Sequence, residues 1–429
     1  MIKILSAFVT FASFGAFAAS AGVVPVVSDV EMEQLSSTHD VIITYTLDNA
    51  PAVVTLDIQT NAADGAWFSI GPQNFTNVTG DVFRLVETDS GTIRWRPFKS
   101  PFIGNVVADG GARAVVTAYA VDAPPDYMVV DLAAESDERV RYYPAVDFLP
   151  GGLLENREYR TSKIVMRRVP ASGVEFTMGN VTSGDAPHTA MLSDDYYIGV
   201  FEVTQGQHYS AFGFYPKNCY YKGTDRDLHP CDMLSFRRIR EGGYDAAEDR
   251  ADHLNYFWPG APYGWSVLGR LRARTEGAVE FDLPTEAQWE FAAQAGERGN
   301  DTWNDGTYMV ASNIPGQSKE RGEDVTTAAG SFNPNALGLY DMHGNVWEFC
   351  LDWYGADISA LGGAINISAN DGAKLADGVT EGVNRVKRGG SCHYQASTCR
   401  SSFRSYSTNA VLYNDFLGLR VVCPARAVR

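Results

Sequence analysis

Short runs of alternating apolar and polar side chains fill the first third of the chain. Four of them lie at residues 41–47, 53–58, 93–95 and 115–121, and turn sequences rich in Asp, Asn and Gly separate them. A period of two predicts half-buried β-strands, and no stretch here keeps the 3.6-residue period of a helix. We therefore predict an all-β immunoglobulin- or fibronectin-like sandwich over residues 22–160, ending in a linker from about 147.

Two helix starts appear in the remainder of the chain. Thr204 with Gln207, and Thr285 with Gln288, have the spacing of reciprocal N-terminal caps. Gly296 stands where the second helix is expected to end in a left-handed residue. This helix is predicted to present one apolar stripe, made of Leu283, Trp289, Ala292 and Ala293.

Loops separate the other predicted elements of this second region. Apolar runs at 164–169 and 176–179 predict a β-hairpin. Residues 299–338 and 355–383 are rich in Gly, Asn and Asp. Because so much loop is unusual in a compact domain, we expect disulfides or bound ions to hold it.

Composition narrows the class of protein. The 429 residues are 45% apolar and 12% aromatic, which is enough for real cores and excludes a disordered chain. The formal charge is −17, and no run of Lys and Arg is longer than two residues. We therefore expect no nucleic-acid partner, since phosphates would be repelled.

The first 21 residues are typical of a secretory signal. Lys3 precedes a diluted apolar stretch over residues 4–18, and small residues allow cleavage after Ala18 or Ala21. An uncleaved anchor is the alternative interpretation. No later segment has 18 consecutive apolar residues, so we predict a freely exported protein, secreted or periplasmic, with no membrane span after cleavage.

Six cysteines follow the predicted signal, all in the second half of the chain. An even number in an exported protein permits three disulfides, with 15 possible pairings that the sequence does not distinguish. The cysteines are Cys219, Cys231, Cys350, Cys392, Cys399 and Cys423.

Five sequence blocks of the second region occur in a specific order. They are Phe-Glu-Val-Thr-Gln at 201–205, Leu-Pro-Thr-Glu-Ala-Gln-Trp-Glu-Phe-Ala at 283–292, Gly-Leu-Tyr-Asp-Met-His-Gly-Asn-Val-Trp-Glu-Phe at 338–349, Arg-Val-Lys-Arg-Gly-Gly-Ser at 385–391 and Gly-Leu-Arg-Val-Val at 418–422. Together they resemble the formylglycine-generating enzyme, or sulfatase-modifying factor, family across about residues 161–424. The resemblance implies an α+β, loop-rich domain of the C-type-lectin-like fold, with structural calcium ions.

The 341–348 block suits a calcium site. Asp341 and Glu348 flank a Gly-Asn turn, so their carboxylates and the carbonyls of Gly344 and Val346 can form an oxygen cage for a hard ion. The matching positions of the family bind calcium in this way.

A second calcium site is implied by the resemblance in the loop before this block. Asn313, Ile314 through its carbonyl, and Asp324 match the family's other calcium ligands. The alternative is that Asn313 and Asp324 are ordinary turn residues.

The cysteines depart from the family's catalytic pattern. Its enzymes oxidise a sulfatase cysteine to formylglycine with copper(I) held by two cysteines, which are suitably soft ligands. In those enzymes the pair lies a few residues after the serine, with four residues between. Here Cys392 directly follows Ser391, and six residues separate it from Cys399. By analogy with members that lack the copper pair, Cys350 and Cys399 are interpreted as a structural pair or as two buried thiols.

Other chemistry receives less support from the residues. The seven histidines lack the spacing of the iron site found in a related enzymatic branch, and no Gly-x-Ser-x-Gly elbow occurs. His343 is interpreted as a hydrogen-bonding loop residue. Trp347, Trp353 and Tyr354 form either core packing, the favoured interpretation, or an aromatic ligand site.

Two functions follow as hypotheses. The first is an exported, diverged and non-catalytic member that acts in binding or assembly, with calcium as a structural ion and a protein or glycan as its ligand. The alternative is a formylglycine-generating oxidase acting on a sulfatase, with copper and the residues Ser391, Cys392 and Cys399.

Overall fold

The chain divides into two compact units. Unit 1 comprises residues 1–129, 140–156 and 425–429, and unit 2 comprises residues 130–139 and 157–424. The computed structural model describes residues 3–5, 24–61, 65–99, 110–135, 138–179, 187–242, 261–295, 326–355, 365–367, 384–408 and 416–429. The predicted boundary at residue 160 lies four residues beyond the observed junction at 156.

Eleven strands lie in the described part of the chain up to residue 143. They are β1 Lys3–Leu5, β2 Val26–Gln34, β3 Val41–Asp48, β4 Ala52–Asn61, β5 Trp67–Ser69, β6 Val78–Gly80, β7 Arg84–Val86, β8 Ser90–Trp95, β9 Ala112–Tyr119, β10 Tyr127–Asp131 and β11 Val140–Tyr143. The four strands predicted from alternation are confirmed as β3, β4, β8 and β9.

Unit 1 contains two antiparallel sheets that share one core. One has the order β1-β2-β3-β8-β6, and the other has the order β5-β4-β7 with β9 on β4. Ile43, Leu56 and Trp95 come from both sheets and belong to one buried cluster. Gly91 lies opposite Tyr45, where an added Cβ would fall 2.2 Å from the tyrosine ring, so the register requires glycine. Residues 425–429 complete this unit, since the Val428 amide donates to the Tyr142 hydroxyl at 2.7 Å.

The described residues of unit 2 form ten further strands, most of them short, and three α-helices of eight residues. The strands are β12 Lys163–Val169, β13 Glu175–Met178, β14 His188–Leu192, β15 Tyr196–Gly199, β16 Trp347–Trp353, β17 Ile365–Ile367, β18 Asn384–Arg388, β19 Ser405–Thr408, β20 Leu417–Gly418 and β21 Val422–Pro424. The helices are α1 Gln205–Phe212, α2 Val267–Arg274 and α3 Glu286–Ala293.

The predicted hairpin between 164–169 and 176–179 is wrong. Strand β12 pairs with β15, and β15 pairs with β21, whereas β13 pairs with β14 in a different sheet. Gly173, with φ of 70°, turns the chain between the two strands, and the carbonyl of Leu192 accepts from its amide at 2.8 Å. The chain therefore leaves the first sheet before β13 begins.

Both predicted helix caps are confirmed. Thr204 accepts from the Gln207 amide at 3.2 Å and Thr285 from the Gln288 amide at 3.1 Å, and both glutamines bond back to the cap residue. Helix α3 ends at Ala293, and Gly296 lies outside the described residues.

The single apolar stripe predicted for α3 is also wrong, since all eight of its residues are buried. Its two glutamates can be buried because arginines face them, as described below. Helix α2 was not predicted.

Unit 2 is mostly β-structure and loop in its described part. Its 4-stranded sheet has the order β19-β18-β16-β20, and this sheet carries the residues considered next. No described helix is long and apolar enough to cross a lipid bilayer.

Candidate functional site

The turn from Asp341 to Glu348 has an unusual backbone. Asp341 and Asn345 have φ of 60° and 65°, which only Gly, Asn and Asp adopt readily, and Gly344 has φ of 137°. The sequence Asp-Met-His-Gly-Asn fits these positions, so the turn can fold without much strain. It brings Val346 to the start of β16.

Glu202 holds this turn from the segment that precedes helix α1. Its Oε2 accepts from the Asn345 side-chain amide at 2.7 Å, and its Oε1 accepts from the Val346 backbone amide at 3.0 Å. The Asn345 Oδ1 in turn accepts from the Thr327 amide at 3.0 Å. Glu202 is fully buried, so these bonds replace water as its partners.

Glu348 is the most heavily bonded carboxylate of the site. Arg420 donates to it from Nη2 at 2.7 Å and from Nε at 3.0 and 3.1 Å. The Trp289 indole N–H of helix α3 donates to its Oε2 at 2.6 Å. Arg420 and Glu348 are 0% and 1% exposed, so this is a buried, charge-assisted pair. The other Arg420 donors reach the carbonyls of Gly199, Val200 and Tyr340.

The cluster holds more negative than positive charge. Burial raises the pKa of Glu202 well above its usual value, and the charges of Asp341 and Glu348 raise it further. Burial also raises the pKa of Asp341 to about 6, although the Gly330 amide and Arg420 lower it. The three carboxyl groups therefore share the guanidinium of Arg420 in a poorly solvated place, and Arg160 also acts on Asp341.

The described residues fit the predicted calcium cage only in part. Asp341 Oδ2 accepts from the Gly330 amide at 2.7 Å, while its buried Oδ1 has no hydrogen-bond partner within the described part of the chain and is available to a cation. Glu348, in contrast, already has Arg420 and Trp289 on its two oxygens. Among the described residues, no three His, Cys, Asp or Glu side chains form a group suited to a metal ion. Asn313, Ile314 and Asp324 lie outside the described residues.

Arginines anchor the cysteine-containing segment from residue 389 to 403 at both ends. Before it, Arg388 pairs with Glu290 and lies 3.5 Å from Glu286. After it, Arg404 binds both oxygens of Glu286, at 2.6 and 2.9 Å. Burial alone would raise the pKa of Glu286, but Arg404 and Arg388 bring this pKa below its usual value. Helix α3 thus holds the segment by two buried ion pairs.

Within this segment, the three predicted catalytic residues are all buried. Ser391, Cys392 and Cys399 are each 0% exposed. The Cys392 amide donates to the Asn345 carbonyl at 2.9 Å, and Cys392 packs with Val346 and Phe416. Cys399 lies beneath Gly390, where an added Cβ would come 2.5 Å from its sulfur.

His343 bonds to the same segment. Its Nδ1 lies 2.9 Å from the Cys399 carbonyl, and burial lowers its pKa to about 4, so the ring is neutral and donates. The prediction of a loop hydrogen-bonding residue is confirmed.

No disulfide is present among the six cysteines, all of which are described and buried. Of the two interpretations of Cys350 and Cys399, the structure has the one with two buried thiols. Cys350 belongs to the main core of unit 2, with Trp289 and Val386.

Trp347 packs in a cluster beside the cysteine segment. The ring of Tyr394 stands edge-on to it at 5.6 Å, and the Lys387 ammonium lies 4.7 Å from its centre. Lys387 is only 4% exposed, and its ammonium group makes cation–π contacts with these two rings. The Trp347 indole N–H is buried without a hydrogen-bond partner among the described residues.

The three aromatic residues considered as one ligand site do not form one patch. Trp347 is 1% exposed and lies at the start of β16, six residues before Trp353 at its end. A strand of this length separates them by about 20 Å. Instead, the Arg385 guanidinium lies over the Trp353 ring, and the Tyr354 ring packs at a tilt against Tyr406. The core interpretation is therefore correct for Trp347.

Sequence reasoning missed the roles of Glu202 and Arg420 in this site. Both stand inside the sequence blocks that carry the family resemblance, at 201–205 and 418–422. Their position in those blocks was a signal, but nothing in the blocks pairs them with residues far away in the chain.

Comparisons with known proteins identify the second unit. A protein-family model described as "Sulfatase-modifying factor enzyme 1-like domain" matches residues 152–425. The chain is 29% identical over 274 residues to the serine/threonine-protein kinase pkn1 of Chlamydia pneumoniae, covering 62% of this chain and 39% of the kinase. It is 28% identical over 184 residues to the chaperone protein LppX of Paenibacillus barcinonensis, covering 37% of this chain and 63% of LppX.

The chain thus spans less than two thirds of these two relatives. It is also 32% identical over 286 residues to the formylglycine-generating enzyme of Mus musculus, covering 56% of this chain and 71% of that enzyme. Compared with the solved structure of Treponema denticola variable protein 1, the structure of this chain has a TM-score of 0.46 at 23% sequence identity. The match covers 61% of this chain and 95% of that protein. On the match over residues 152–425 and the likeness to the mouse enzyme, this chain belongs to the sulfatase-modifying factor (formylglycine-generating enzyme) domain family.

Proposed function

We propose that unit 2 is a diverged, non-catalytic family member that acts in binding or assembly. The observation that carries the proposal is the 0% exposure of Ser391, Cys392 and Cys399. Reactive cysteines lie in partly exposed, electropositive sites, whereas buried ones are inert. A copper oxidase would need both copper and a sulfatase peptide to reach these sulfurs.

The relatives support a domain whose use varies. The names of three of them are those of a kinase, a chaperone and a formylglycine-generating enzyme. One fold can carry several functions, so family membership alone does not assign the oxidase chemistry to this chain.

The test is direct. The full chain is incubated with copper(I) and a peptide containing Cys-x-Pro-x-Arg, and mass spectrometry follows conversion of the peptide thiol to an aldehyde. We expect no conversion. Aldehyde that forms with the native chain and with Cys350→Ala, but not with Cys392→Ala, would overturn the proposal in favour of the oxidase.

The ligand of the binding function is proposed to be a protein or a glycan. Trp347 is buried, but other aromatic side chains of unit 2 are exposed, with Phe214 at 41% and Trp265 at 51%. Arg270 lies 3.7 Å over the Trp265 ring, and Trp, Tyr and Arg are enriched in binding hot spots. Glycan arrays with and without calcium distinguish the two classes. Binding that Trp265→Ala removes would identify a glycan, and blank arrays would leave a protein partner.

Calcium remains a proposal, now centred on Asp341 Oδ1 and the carbonyls of Gly344 and Val346. The unpartnered buried oxygen supports it, and the excess of carboxylates favours a cation nearby. We expect a chelator to lower the melting temperature of the native chain, because an ion that binds only the folded state stabilises it. Asp341→Ala should remove most of this shift. Equal melting temperatures with chelator and with excess calcium would refute the site.

We further propose that unit 1 is an immunoglobulin- or fibronectin-like sandwich and that unit 2 has the C-type-lectin-like fold. Two antiparallel sheets around one core support the first assignment, and short strands joined by long loops support the second. An experimental structure of the full chain would decide both.

Export is proposed from the sequence of residues 1–21, and a protein of this kind would be secreted or periplasmic. Expression with and without this segment, followed by fractionation, tests it. Retention of the full chain in the cytoplasm would argue against export.

A further inference from the structure

We propose that Cys219 and Cys231 form a disulfide that fixes one loop of unit 2 beside the cysteine-containing segment. The two residues are twelve positions apart, and Cys219 lies in the loop that follows helix α1. This inference is independent of the proposed binding function.

The two thiols lie close together in the structure. Cys219 is 1% and Cys231 is 0% exposed, and the Cys219 side chain is one of the groups that raise the pKa of the Cys231 thiol. The Cys219 thiol also lies 3.5 Å from the carbonyl oxygen of Asp232. The Cys219 thiol is thus held against the residue that follows Cys231, so the two sulfurs need no large backbone movement to bond.

Cys231 is a fixed point. Its amide donates to the Val203 carbonyl at 2.8 Å, which ties it to the segment just before α1. Its carbonyl oxygen lies so close to Gly418 that a Cβ there would approach to 2.5 Å. A sulfur linked to Cys231 is therefore anchored to the packed interior of unit 2.

Cys219 belongs to a less firmly held segment. Its neighbours Asn218 and Tyr220 are exposed, and it lies outside helices and strands. Tyr220 is tied back by its amide, which donates to Asp232 Oδ1 at 2.9 Å. Two hydrogen bonds, both to Asp232, thus connect this loop to the segment that contains Cys231, and a covalent bond would strengthen the same connection.

The loop reaches the predicted catalytic segment. The Tyr220 ring lies 5.2 Å from the ring of Phe416, which stacks on His393 at 5.6 Å and packs against Cys392. Fixing Cys219 therefore fixes the aromatic side chain that covers Phe416. We infer that the disulfide holds Tyr220 over this segment.

The reaction needs an oxidant, for which a small-molecule disulfide such as glutathione disulfide is suitable. The two protein thiols lose two protons and two electrons and form one S–S bond, while the oxidant's S–S bond breaks to give two thiols. Burial, and contact with Cys219, raise the pKa of Cys231 well above its usual value, so little thiolate exists in the folded protein. We therefore expect the bond to form while the loop is open, as the chain folds.

The experiment uses the full chain, refolded with either glutathione disulfide or excess reduced glutathione. Remaining thiols are alkylated in denaturant, and tryptic peptides are mapped without reduction. Cleavage after Lys217, Lys222, Arg226 and Arg237 leaves the two cysteines in separate peptides, 218–222 and 227–237. We expect these peptides to be joined after oxidation, lighter by two hydrogen atoms than their sum, and separate after reduction.

Two variants and one functional readout complete the test. Cys219→Ser should leave Cys231 alkylated, whereas Cys350→Ser should leave the joined peptides intact. Native oxidised protein should be cut by trypsin at the exposed Lys217 and Lys222 more slowly than reduced protein. Alkylation of both cysteines in the oxidised native chain, or Cys219 joined to a different cysteine, would overturn the proposal. Equal cleavage rates would overturn the inference that the bond fixes the loop.

Discussion

Replacement of Arg420 by methionine should destabilise unit 2 more than any change at the surface. Arg420 is fully buried and donates to Glu348 and to three backbone carbonyls. Methionine fills part of the volume but supplies no donor and no charge. Removal of one partner from a buried ion pair costs about 3–5 kcal/mol, because the remaining charge has no compensation.

At neutral pH we expect the loss of stability to lie in the upper part of this range, because of the charges around Arg420. Without Arg420, the carboxyl groups of Glu202, Asp341 and Glu348 lose the guanidinium that pairs with Glu348, and Arg160 still acts on Asp341. The pKa of Glu202 is already raised by burial and by the other two carboxylates. Protonation can relieve this repulsion. Since the folded variant would then bind more protons than the unfolded chain, its stability should fall as the pH rises from about 5 to 8.

Urea unfolding at pH 5 and pH 8 measures both effects. The control is Arg429→Met, which removes an ion pair with Glu87 whose side chains are 71% and 47% exposed. This control should change the free energy of unfolding by no more than about 1 kcal/mol. The double variant Arg420→Met with Glu348→Gln should recover part of the loss, because it removes the uncompensated charge. If Arg420→Met is no worse than the control, or if its deficit does not grow with pH, the role assigned to Arg420 is wrong.

Two further predictions concern buried polar groups of unit 2. Burial raises the pKa of Asp232 to about 6, so the folded chain keeps this proton longer than the unfolded chain, and stability should fall as pH rises from about 4 to about 6. Asp232→Asn should weaken this pH dependence of the free energy of unfolding and raise that free energy at pH 7 by about 1–3 kcal/mol. Urea unfolding of the variant and the native chain at pH 4 and pH 7 measures this. The same change with pH in both proteins would contradict the prediction. Thr285→Ala removes the N-terminal cap of helix α3 and should lower the free energy of unfolding by about 1–2 kcal/mol, whereas Thr285→Ser should lower it much less. Calorimetry compares the two variants. Equal stability of the two would show that the cap contributes nothing.

Sequence reasoning succeeded where the deciding chemistry is local. The caps at Thr204 and Thr285 depend on a partner three residues away, so spacing alone predicted both helices. Alternation likewise placed the strands of unit 1 that have one buried face. These features need no knowledge of the remainder of the chain.

It failed where partners are distant or the pattern is weak. The pairing of β12 with β15 and of β13 with β14 depends on contacts that no local turn specifies. Helix α2 contains three arginines and a glycine within eight residues, so it has too few apolar positions to show a clear 3.6-residue period. Glu202 meets Val346, and Arg420 meets Glu348, across 144 and 72 positions of chain. The blocks named these residues, but only the fold brings them together.

The return of residues 425–429 to unit 1 determines which of the two units can complete its folding first during synthesis. The Ala427 amide donates to the Val121 carbonyl at 2.7 Å, and Val428 bonds to Tyr142. Synthesis proceeds from the amino end, so a ribosome has translated all of residues 157–424 before these contacts can form. The unit whose sequence begins first is therefore finished last, and a nascent chain halted before residue 425 would carry unit 1 without its final contacts.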